Sequence, residues 1–175
     1  AADGSRPGYY YVNLYRPEVR PKYEMEVLSV HEAVPGHHLK IALQMELEDM
    51  PEFRRYTGFT AFSEGWGLFT EQLMFEQGFL QGDDVELTRL RNRLWRAARM
   101  FLDPMLNTGQ ISVAKARTIL EEDVVMEPAT ATAELERYTF QIPGQATAYF
   151  YGYRKLMELK GATELALGDR FDRRA

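Results

Sequence analysis

Apolar and polar positions along most of this chain recur with a helical period. The spacing predicts helices over residues 23–34, 37–48 and 60–78. Within the third, Phe62, Trp66, Phe69 and Leu73 recur every three or four residues, a stripe expected to face the core. Further helices are predicted over 85–102, with Asp83 or Asp84 as its cap, then over 112–125, 130–140 and 145–159. A last short helix is expected over 162–167. Pro51, Pro104, Pro128 and the pair Pro143-Gly144 punctuate these segments. Residues 8–14 read Gly-Tyr-Tyr-Tyr-Val-Asn-Leu between Pro7 and Pro17, an aromatic and β-branched run that predicts a strand. The expectation is a mainly α domain spanning residues 1–175 with a small N-terminal strand region.

Composition narrows the functional classes. The chain has 175 residues, of which 45% are hydrophobic, enough for one real core. Net charge is −5 and no long basic run occurs, which argues against a nucleic-acid groove. No apolar stretch approaches the ~20 residues of a membrane-spanning helix. The absence of cysteine excludes disulfides and thiolate metal ligands. The chain starts Ala1-Ala2-Asp3-Gly4 without a Met and ends Asp172-Arg173-Arg174-Ala175 just past a helical pattern. These ends read as cuts, so a fragment of a longer protein is expected. A targeting region would lie in the missing part, which leaves cytoplasmic and exported locations both open.

All three histidines fall in one stretch, His31-Glu32-Ala33-Val34-Pro35-Gly36-His37-His38. It resembles the His-Glu-x-x-His zinc signature with Pro35-Gly36 inserted. In a straight helix, residues four apart differ by about 40° in angle and about 6 Å in height, which lets two imidazoles share one ion. His37 and His38 lie six and seven residues after His31, and neither fits an undistorted helix. If Pro35-Gly36 bulges outward, the remaining order is His-Glu-Ala-Val-His-His. His37 then becomes the second ligand, with His38 the runner-up. Catalytic zinc takes three protein ligands and an open position. With no other His or Cys, the third must be a carboxylate. Glu64, in Ser63-Glu64-Gly65-Trp66-Gly67 on an aromatic-rich helix, is the best candidate. Glu71, two turns on, could hold a ligand imidazole from behind. Arg89, Arg91, Arg93, Arg96 and Arg99 read as paired surface charges rather than a substrate clamp.

The histidine stretch and Ser63-Glu64-Gly65-Trp66-Gly67 resemble the bacterial DUF885 family, which is related to the gluzincin-type zincin peptidases. The resemblance continues through residues 6–13 and 143–149 and so covers nearly the whole chain. It implies a zincin-like catalytic, C-terminal part of a longer protein: a zinc-dependent metallopeptidase acting on short peptides, with one zinc ion per chain held by His31, His37 and Glu64. Glu32 would be the general base. The oxyanion needs a further donor. Family members often carry a His in the loop read here over 103–109, where this chain has Asn107. A Tyr or Arg must then serve as donor, and Tyr149 is favoured because it belongs to the matching 143–149 segment, ahead of Tyr153, Arg137 and Tyr138. The predicted strand would pair with an extended peptide, and the missing N-terminal part would form one wall of the cleft. Two alternatives accompany this reading: a hydrolase of non-peptide amides or esters, and a non-catalytic helical domain with a degenerate or structural metal site.

Overall fold

The computed structural model describes residues 5–14 and 17–172. The extreme ends that suggested a fragment lie outside the described residues. Eight α-helices are described: α1 (Glu24–Glu32), α2 (His37–Glu46), α3 (Glu52–Tyr56), α4 (Thr60–Glu76), α5 (Asp83–Asn107), α6 (Val113–Thr118), α7 (Pro128–Glu136) and α8 (Ala148–Leu167). Helix α6 runs on into a π-helical segment, Ile119–Asp123, and α7 into another, Arg137–Gln141. The mainly α expectation holds.

Local chemistry explains several boundaries. Ser112 caps α6 by accepting from the Lys115 amide at 3.2 Å. Pro128 opens α7, and the Glu127 carboxylate accepts from the Ala129 and Thr130 amides. Helix α5 starts after Gly82, whose φ is +94°, so neither Asp83 nor Asp84 is the cap. Both instead lie in the first turn with Glu86, where negative charge favours the helix dipole.

Three elements differ from expectation. Residues 8–14 form no strand, and no strand occurs among the described residues. A strand needs a ladder partner, and this segment lies instead against a helix start: a Cβ on Gly8 would sit 2.7 Å from His38 Nδ1. Pro104 does not end α5, which continues to Asn107. It stands three residues before the helix end, so the turn it disturbs is the last one. The helices expected over 145–159 and 162–167 are one, α8, preceded by a 3₁₀ turn, Gln145–Thr147.

The main core lies between α5, α6 and α7. It is built from Ala98, Leu102, Ala116, Leu120, Val124, Ala131, Leu135 and Tyr138. A smaller cluster joins α1 to the start of α5 through Val27, Val30, Leu80 and Val85. Helices α4 and α8 cross at glycines. A Cβ on Gly65 would lie 2.4 Å from the Gly152 backbone, and one on Gly152 would lie 1.8 Å from the Ala61 carbonyl oxygen. The aromatic stripe of α4 is not core. Phe62 is exposed, Trp66 and Phe69 are half-buried, and Phe62 and Trp66 face an open groove. The core faces of α4 are taken instead by Leu68, Thr70 and its glycines.

Of the α5 arginines, Arg91 is a paired charge at a partly exposed position as expected, but the others are not surface charges. Arg89, Arg96 and Arg99 are buried, and Arg93 is half-buried. At about 100° per residue, Arg89, Arg93 and Arg96 share one face, with Arg91 opposite. Arg99 makes a two-pronged pair with Glu134, at 2.8 Å from Nε and 2.7 Å from Nη2. Trp95 and the Tyr138 hydroxyl donate to the same carboxylate. Arg89 and Arg93 both donate to Gln72 Oε1. Arg91 pairs with Glu24.

Candidate metal centre

Helix α1 ends where Ala33 N donates to Ser29 O, and α2 starts at His37. Between them Leu39 N donates to Ala33 O at 3.2 Å, six residues back. A regular turn closes at four residues. The loop therefore holds two extra residues, the length of the Pro35-Gly36 insertion. Gly36 packs onto the end of α1 so closely that a Cβ would lie 1.8 Å from His31 O, so only glycine fits. The Trp66 indole donates to Pro35 O at 2.9 Å and fastens the bulge to α4.

The bulge turns His37 back toward His31. Their rings meet edge to face, with centroids 4.8 Å apart. Glu64 approaches from α4: its Oε2 lies 3.4 Å from His37 Nε2 and 3.9 Å from His31 Nε2. One donor atom from each of the three residues lies within 4.8 Å of the others. Among the described residues this is the one such grouping of metal-ligating side chains. His38 points elsewhere. It lies under Gly8 and lines a cleft of about 430 Å³ with Glu32, Leu28 and Tyr9–Tyr11.

Neighbouring groups orient the three. His31 is buried, and its Nδ1 lies 2.7 Å from Glu71 Oε1. Gly67 makes room for the ring, since a Cβ there would sit 2.5 Å from His31 Nε2. Burial opposes charge on His31, but Glu64 and Glu71 outweigh it and raise the pKa, against the charge of buried Arg96. Burial likewise disfavours the Glu64 carboxylate, yet bonds to His31 and His37 hold its pKa far below the usual range.

Gln145, which sequence reasoning missed, donates from Nε2 to Glu64 Oε1 at 3.4 Å. Arg137 Nη2 in turn reaches Gln145 Oε1 at 3.0 Å and the Tyr149 hydroxyl at 3.3 Å. Tyr149 is therefore linked to Glu64 through two side chains, with its ring under the Arg99 guanidinium. The other tyrosines are occupied elsewhere: Tyr138 by Glu134, and Tyr153 by Arg93. A Gln opening a helix carries no signal of its own. Its position directly after Pro143-Gly144 was the available clue. Asp103 fixes that loop by accepting from the Gly144 and Ala146 amides. Asn107 is the last residue of α5 rather than part of a loop, and its side chain bonds Asp103 and the Tyr138 carbonyl.

The chain belongs to the family of bacterial proteins of unknown function DUF885, whose pattern matches residues 1–175. Among solved structures it is similar to a "putative lipoprotein" from Colwellia psychrerythraea, with 37% identity and a TM-score of 0.92 over 98% of this chain and 29% of the other. It shares its fold with a "putative lipoprotein of unknown function" from Shewanella oneidensis, at 24% identity and a TM-score of 0.77, over 86% of this chain and 27% of the other. The chain thus spans less than a third of either protein's length. No curated protein matches it. No helix among the described residues is long and apolar enough to cross a membrane.

Proposed function

We propose that this chain carries the catalytic part of a zinc-dependent metallopeptidase of the zincin type. The observation that carries the reading is the convergence of His31, His37 and Glu64 from α1, α2 and α4, with Glu71 behind His31. Two imidazoles and one carboxylate are a donor set that suits zinc and leaves a coordination position open. Tetrahedral zinc with ligands at about 2.1 Å places them about 3.4 Å apart. The separations of 3.4 and 3.9 Å from Glu64 to the two imidazoles lie close to that spacing.

The chemistry zinc supplies in such a site is Lewis-acid polarisation of a water and of the scissile carbonyl. The chain's own residues do the rest. Glu71 accepts from His31 Nδ1, which fixes the tautomer that presents Nε2. Gln145 engages Glu64 Oε1 and leaves Oε2 facing the imidazoles. Glu32, next to His31 at the end of α1, would take the proton of the attacking water and deliver it to the leaving amine. Tyr149, held by Arg137, is the donor for the developing oxyanion. A short peptide would lie in the cleft lined by Tyr9–Tyr11 and Glu32, held by side chains rather than by pairing with a strand. The lipoprotein description of the Colwellia relative supports an exported location for the whole protein.

The test is zinc content after zinc exposure and dialysis, followed by cleavage of a peptide library by the longest natural form of the protein. About one zinc per chain is expected, lost in H37A and kept in H38A. E32Q is expected to keep the metal and lose cleavage. Metal retained in H37A but lost in H38A would overturn the ligand assignment. Undiminished cleavage by E32Q would overturn the role of Glu32.

A further inference from the structure

Helices α2, α3 and α4 leave an open apolar groove of about 700 Å³ between them, a size typical of small-molecule sites. Leu43, Leu47, Met50, Phe53, Phe59 and Phe62 line it while staying between 39% (Met50) and 73% (Phe59) exposed. Contiguous apolar surface of this kind is costly to leave in water. Trp66 lies against the same groove.

Two charged side chains line the groove, Lys40 and Arg54, and both are cations. Lys40 Nζ donates to Ser63 Oγ at 3.1 Å and lies 4.9 Å from the Phe62 ring centroid. No carboxylate among the described residues pairs with it. Burial lowers its pKa, and no acidic group counters that effect. Arg54 stacks on Phe53 instead of on an acid. The groove is therefore an apolar trough whose two lining charges are both cations without an ion-pair partner among the described residues, the complement of an apolar chain with an anionic head. An extended peptide suits it poorly. Its amides would lose water and find few partners, because Gln44 is already bonded to the Arg54 and Thr57 carbonyls. An alkyl chain has no such groups to satisfy.

We infer that this groove binds a long-chain carboxylate, with its alkyl chain along Leu43, Leu47 and Phe59 and its head on Lys40. The inference does not depend on the zinc reading.

The probe is sodium decanoate below its micelle concentration, titrated while following Trp66 fluorescence. The other tryptophan, Trp95, is stacked under Arg96 and Arg99. Decanol and decyltrimethylammonium serve as neutral and cationic comparisons. Expected is saturable binding of one decanoate, at least tenfold tighter than decanol, with the cation weakest. K40M should bind decanol as before and lose the preference for the acid. L47D, at an exposed position, should abolish binding of both. Absent or unsaturable decanoate binding, equal affinity of acid and alcohol in the wild type, or an unchanged preference in K40M would each overturn the inference. So would capture of an amphipathic helical peptide by a chain that ignores decanoate.

Discussion

Replacing Gly67 by Ala tests whether the site depends on one missing methyl group. The new Cβ would lie 2.5 Å from His31 Nε2 and 2.6 Å from Cε1, where ordinary contact begins at 3.4 Å. The ring must therefore move away from α4 by about 0.9 Å to restore ordinary contact. Glu71 sits on α4 one turn beyond Gly67, so that movement stretches the 2.7 Å bond to His31 Nδ1. A shift of that size takes it past the ~3.2 Å limit of a good hydrogen bond. Leaving the buried Glu71 short of a partner costs about 1–3 kcal/mol. Alanine in place of a helical glycine returns up to about 1 kcal/mol. A net loss of about 1 kcal/mol lowers the melting temperature by about 2–4 °C. In the proposed zinc site the larger effect would fall on the metal, because loss of an orienting partner typically lowers affinity by about 10–100-fold. Zinc competition against a chromophoric chelator reads affinity, and thermal unfolding reads stability. Gly161 in α8 is the control: nothing lies within 4 Å of a Cβ there, so G161A should leave zinc binding alone and gain stability. Undiminished zinc affinity in G67A would refute the argument that Gly67 positions His31.

Other perturbations bear on the supports of the site. R99M leaves Glu134 charged and buried with only Trp95 and Tyr138 as donors, and urea unfolding should show a loss of about 3–5 kcal/mol. Burial alone would raise the Glu134 pKa, but Arg99 overrides it and the folded value lies below the ordinary 4.5. The stabilisation is therefore complete above the ordinary value and lost as pH falls through the depressed one. Melting temperature should decline below about pH 4.5 with a component missing in E134Q. W66F removes the donor to Pro35 O while keeping an aromatic ring, and should cost about 1 kcal/mol in a melt together with weaker zinc retention.

Much of the helical order was legible because periodicity and punctuation are local properties. Pro128 and Ser112 mark their helix starts by chemistry that needs no partner elsewhere in the chain. The grouping of His31, His37 and Glu64 was legible for a related reason. An outward bulge is one geometric remedy for a two-residue insertion in a helical motif, and the Leu39-to-Ala33 bond shows that the chain adopts it. The strand expected over 8–14 was not legible as a failure. Its aromatic and β-branched composition is correct for a strand, but a strand exists only through a neighbour, and this segment has a helix start beside it. The burial of most α5 arginines was not legible from the charge pattern alone. Their spacing of four and seven residues puts Arg89, Arg93 and Arg96 on one face, and the buried carboxylate facing Arg99 comes from a helix 35 residues further on.

Local sequence sets the helical periods, the places where proline and glycine interrupt them, and the donor types available to a metal: imidazole and carboxylate, never thiolate. The folded arrangement chose between the two adjacent imidazoles and fixed which apolar faces are covered. His38 matches His37 in chemistry and adjoins it in sequence, yet the bulge and the Trp66 anchor send one to Glu64 and the other beneath Gly8. The stripe of Phe62 and Trp66 has the period of a core face, but the close α4–α8 crossing at Gly65 and Gly152 claims another side of the helix and leaves that stripe on an open groove. Periodicity specifies that a face is apolar. Which neighbour packs against it depends on close approaches between residues far apart in the chain, and those follow from the whole fold.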